Sequence, residues 1–77
     1  MLIERVDADV KTLQACMYVA EGSLFTEDEA KLIANVYRGM LSELTRFEAR
    51  KFEDTVQALA NRGEIDRANL RRVMDHV

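Results

Sequence analysis

The side chains able to do chemistry are few, and their spacing does not assemble a reaction. The chain has one histidine, His76, and one cysteine, Cys16. General acid–base catalysis wants a titratable group tuned near neutral pH and held in a pocket. His76 is the second-last residue of the sequence, a position that predicts fraying rather than a rigid Ser-His-acid set. Cys16 falls beside an apolar seam and reads as a small packed hydrophobe. Asp9, Lys11 and Glu21 offer it no excess of positive charge to favour the thiolate. One cysteine with one histidine cannot complete a zinc site of ordinary type. The run Gly63-Glu64-Ile65-Asp66 looks like the second half of a calcium loop, but the register then needs acids at 58, 60, 62 and 69. The sequence has Ala58, Ala60, Arg62 and Asn69 there, so the oxygen ligands are missing. Carboxylates at helical spacing sit next to bases, as in Arg50/Asp54 and Lys51/Asp54, which are ordinary exposed pairs. No glycine-rich phosphate loop is present. These residues predict no enzyme, no cofactor, no metal and no small-molecule substrate, and they point to binding instead.

Two stretches could bind a macromolecule. In the first, Tyr18 lies off the apolar seam, Leu24 and Phe25 stand near a turn, and Glu27 and Asp28 follow. Together they make a candidate patch for a protein partner. Residues 1–30 carry seven acids against two bases, a balance suited to a basic surface on that partner. The second stretch is the tail. Ala60, Ile65, Asp66, Leu70 and Val73 have the spacing of an alanine in one helix, an apolar residue and cap after a turn, and two core residues of the next helix. The segment 59–76 resembles a helix–turn–helix, with its glycine one position early. That resemblance implies that Arg67, Asn69, Arg71 and Arg72 face a duplex while Arg62 meets phosphate. The same spacing suits any short hairpin of packed helices. Glu64, Asp66 and Asp75 dilute the basic surface, and an acidic N-terminal half opposes a nucleic-acid grip along the whole chain. The leading expectation is a small helical interaction protein that works as an adaptor, assembly chaperone, inhibitor or regulatory subunit on a larger protein or nucleoprotein. The alternative is a DNA-binding regulator.

The elements that must carry these residues are helical. The chain has no proline and three glycines, too few turn residues for a small sheet protein. Ile3, Val6, Val10, Leu13, Met17 and Ala20 recur at spacings of three and four, which predicts a first helix over 2–21 stopped by Gly22. Thr26-Glu27-Asp28-Glu29 has the spacing of a capping box, with acids in the first turn set against the helix dipole and Phe25 placed to staple onto Ala30. From there no glycine or proline pair breaks the pattern before Asn61-Arg62-Gly63, so the pattern predicts one helix over 27–61, about 52 Å long. Gly39 inside it marks either tolerance or close approach of another helix. Its apolar stripe changes phase. Ile33, Tyr37, Met40, Leu44 and Phe47 form one line; Phe52, Val56 and Leu59 form another, rotated by roughly 100°. An antiparallel first helix ends near the change, so the second line needs a different cover. The tail supplies it as a helix over 67–76, capped by Asp66 and with Ile65 placed to staple onto Leu70.

The expectation is therefore an all-α single domain over 1–77, two helical hairpins (1–47 and 48–77) sharing one long central helix. Met17, Met40 and Met74 fall on apolar stripes and read as core. A 77-residue chain buries only about 60% of its unfolded surface, and no disulfide or metal is at hand as a staple. Leu2, Val19, Val36 and Leu41 flank the rod and would stay partly wet. A second copy packed along the first two helices would cover them, so a homodimer is expected. No run of about 18 apolar residues is present for a membrane helix. The early charges Glu4, Arg5, Asp7 and Asp9 do not suit a signal peptide, which predicts a cytoplasmic protein.

Overall fold

The computed structural model describes the backbone of residues 2–18 and 23–77 and the side chains of 4–18 and 23–77. Four helices follow one another: α1 (Leu2–Cys16), α2 (Glu27–Glu43), α3 (Arg46–Asn61) and α4 (Arg67–Met74), with no strand among the described residues. The all-helical reading is right. The seam positions Ile3 and Ala20, the flanking Leu2 and Val19, and the Gly22 stop lie outside the described side chains. The described end of α1 at Cys16 comes earlier than the expected 21.

The single central helix over 27–61 is corrected: it is two helices. Leu44 (φ −94°, ψ 147°) and Thr45 (φ −66°, ψ 166°) are both extended, so the backbone turns between them and a new helix starts. The cause is local chemistry. The Thr45 hydroxyl accepts the Glu48 amide at 3.1 Å, and Glu48 Oε1 accepts the Thr45 amide at 2.9 Å. This second capping box repeats the one at Thr26, where Oγ1 accepts the Glu29 amide at 3.2 Å and Glu29 Oε1 accepts the Thr26 amide at 2.8 Å. Satisfying two amides at Thr45 offsets the intrahelical bonds that a continuous helix would have kept.

With the spine broken, the helices re-pair. α1 packs most extensively on α3, and α2 on α4. The two-hairpin scheme had set them as sequence neighbours. The molecule measures 35 × 23 × 16 Å with a radius of gyration of 11.9 Å. One core runs through all four helices: Val6, Val10, Leu13 and Met17 from α1 and its end; Ala30, Ala34 and Tyr37 from α2; Phe52, Val56 and Leu59 from α3; Leu70 and Val73 from α4. Tyr37 and Phe52 meet ring to ring, 5.3 Å between centroids and tilted by 55°, joining α2 to α3. Ile33, Met40 and Leu44 lie at its margin, half-buried. Phe47 does not belong to this seam. It is 69% exposed, because α3 begins its own inward face at Glu48 and runs it through Phe52, Val56 and Leu59, leaving Phe47 about a quarter-turn away. Of the flanking residues, Val36 is 39% exposed and Leu41 is half-buried.

The remaining joints follow the sequence closely. α3 ends in a Schellman turn. Gly63 takes φ 79°, its amide donates to the Ala60 carbonyl, and the Glu64 amide donates to the Leu59 carbonyl. Asp66 caps α4 by accepting the Asn69 amide at 2.9 Å, and Ile65 and Leu70 on either side of that cap are both buried. Gly39 has open space where a Cβ would stand, so among the described residues no helix approaches it closely and tolerance is its explanation.

Candidate functional site

The candidate residues divide by where the four helices put them. Tyr18 is 81% exposed and Leu24 is 53% exposed, while Glu27 and Asp28 stand in the solvated first turn of α2, Glu27 at 3.8 Å from Lys31. Phe25 is corrected: it is 3% exposed and belongs to the core, as its staple onto buried Ala30 requires. With Phe25 turned inward, the patch around Tyr18 loses its central aromatic.

The tail residues separate more sharply. Arg62, Arg67, Arg71 and Arg72 are exposed, but Asn69 is 3% exposed and turned away from any duplex. Its Oδ1 accepts the Phe25 amide at 2.8 Å and its Nδ2 donates to the Ser23 carbonyl at 3.0 Å. Asn69 is thus a latch holding the 23–25 loop against α4, because a buried amide must satisfy its donor and acceptor somewhere. Arg62 donates to Glu64 at 2.7 Å in an exposed ion pair. Arg67, Arg71 and Arg72 have neither an ion pair nor a hydrogen bond from their guanidinium groups among the described residues.

Two of these arginines edge a cleft between α3 and α4. Gln57 and Ala60 form one wall; Arg67, Ala68, Leu70, Arg71 and Met74 form the other, around an open volume of about 460 Å³. The lining is largely apolar, and the small side chains of Ala60 and Ala68 leave room within it. Met74, expected in the core, is 40% exposed and reaches the cleft. Sequence reasoning named Arg67 and Arg71 but gave them to DNA, and it passed over Gln57. Only the crossing of α3 on α4 brings Gln57 opposite them, and no sequence spacing reports such a crossing.

Cys16, expected to be packed, is exposed at the end of α1. No group of three His, Cys, Asp or Glu side chains converges on a metal position among the described residues. Among the described residues two ionisable groups are perturbed. Burial first, and then the charge of Glu53, push the Tyr37 phenol up to about 12. The Thr45 amide above all holds the Glu48 carboxyl below the ordinary range, helped by the Thr45 hydroxyl and by Arg5, while burial works against them. Glu48 is 1% exposed and its Oε2 has no hydrogen-bond partner among the described residues.

Fold and cleft together define a small helical bundle with a half-apolar, arginine-edged groove. No family of known proteins, no curated protein and no solved structure matches the chain. No helix is long and apolar enough to cross a membrane among the described residues.

Proposed function

We propose that the chain is a small protein-interaction module without chemistry of its own, and that it docks an amphipathic segment of a larger protein in the cleft between α3 and α4. One observation carries this reading: an open, apolar-floored groove whose two edge arginines have no partner among the described residues. Helix-lined grooves of this size receive side chains from a partner helix, while a charged rim fixes register. An adaptor, inhibitor or regulatory subunit works in this way, by occupying a surface.

The duplex-binding alternative has less support. Asn69 serves the core instead of a base edge. A concave cleft hides its floor from a cylinder of phosphates, which is better met by a protruding helix. The test is capture of a partner from a native lysate on immobilised protein, compared with two variants. Ala68→Trp fills the groove and should abolish capture. Lys11→Glu, on α1 and outside the groove, should leave it intact. Capture indifferent to Ala68→Trp, or retention of generic duplex with steep salt dependence, would overturn the reading.

A further inference from the structure

We infer that the occupant of the α3/α4 groove is a helix bearing two carboxylates four residues apart on the face that also carries its apolar anchor. The inference rests on the docking reading above and specifies its partner. Arg67 and Arg71 lie four residues apart on α4, hence about 6 Å apart along its axis. Both are exposed, both edge the same cleft, and neither meets a carboxylate among the described residues. Residues four apart on any other helix are separated by the same 6 Å. Two carboxylates at that spacing therefore match both guanidinium groups at once only when the incoming helix runs along α4, not across it. In that alignment the anchor residue three positions after the first acid lies on the same face. It is directed at the floor, where Ala60 and Ala68 leave room beside Leu70 and Met74. Gln57 on the far wall, whose Nε2 donates to Asn61 Oδ1 at 3.2 Å, keeps its carbonyl oxygen and a second N–H for an incoming group. A run of phosphates offers charge to the arginines but nothing to the apolar floor.

The probes are defined helical peptides of about 14 residues added to the isotopically labelled protein and followed by NMR. The first carries glutamates at i and i+4 with leucine at i+3. The second replaces both glutamates by glutamine, and the third moves the second glutamate to i+2, off the face. A generic 12-base-pair duplex is the fourth. The expected result is saturable shifts at Ala60, Ala68 and Met74 with the first peptide, bound roughly three- to tenfold more tightly than the second or third, the gain that two partly exposed charge pairs supply. Arg67→Glu and Arg71→Glu, both at exposed positions that leave the core untouched, should remove that preference, and 0.5 M salt should narrow it. Equal binding of the first three peptides would overturn the carboxylate reading while leaving the groove a docking site. Absence of shifts with every peptide at millimolar concentration would overturn both readings. Shifts produced by the duplex and lost in Arg71→Glu would overturn both in favour of nucleic acid.

Discussion

Glu48 is the residue where local and global demands meet. Its Oε1 is needed by the Thr45 amide, and its position at the head of the α3 inward face buries the whole carboxyl, leaving Oε2 without a partner among the described residues. A buried charge of this kind is tolerated because one strong, charge-assisted bond and the nearby Arg5 favour the ionised form. The folded carboxyl therefore titrates below its unfolded value of about 4.3. The sign follows from linkage: the stability that this group contributes is present above that value and is lost as the pH falls through the lower, folded one. Thermal melts between pH 7 and pH 3 should show the wild type losing more stability than Glu48→Gln, which keeps an acceptor for the cap but has no proton to take up. Parallel pH profiles for the two proteins would remove Glu48 from the acid response. Asn69 makes the opposite bargain, since both of its polar ends are satisfied and it joins two segments 44 residues apart.

At the scale of elements, the break at Thr45 decides the architecture. Thr45→Ala should cost about 0.5–2 kcal/mol, measured by urea denaturation, because it removes the hydroxyl acceptor of the second capping box. An unchanged midpoint would mean that packing alone, and not the cap, sets the joint. The joint was legible in part. Thr45-Arg46-Phe47-Glu48 has the same threonine-to-glutamate spacing as Thr26-Glu27-Asp28-Glu29, and the apolar stripe shifts phase at the same place. A phase shift has two physical causes, a change of partner on a continuous helix or a new helix starting afresh, and periodicity alone does not separate them. The Thr26 box, the Asp66 cap and the glycine turn before α4 were readable because each is decided within a few residues. The inward turn of Asn69 and Phe25, the outward turn of Phe47, and the placing of Gln57 across the cleft from Arg67 were not, because each depends on which helices cross.

For the molecule as a whole, the pairing of α1 with α3 and of α2 with α4 interleaves the two halves of the chain. A division at the Thr45 joint would separate both of these pairs and cut the Tyr37–Phe52 contact as well. Each half would then expose an apolar face with little to cover it: Leu13 and Val10 on one side, Phe52 and Val73 on the other. A 77-residue bundle has only about 4–12 kcal/mol of net stability, and deleting one fully buried leucine to alanine already takes about 2–5 of it. Neither fragment can afford such losses. Peptides covering 1–45 and 46–77 should therefore each be largely unfolded by circular dichroism when alone and regain helix when mixed at equal concentration. Two hairpins joined by a shared rod would behave differently, since each would carry its own seam. Native-like helicity in either isolated fragment would mean that each hairpin folds on its own seam without the α1–α3 and α2–α4 pairs. It would also detach the α3/α4 groove from the α1 and α2 scaffold that now holds it in shape.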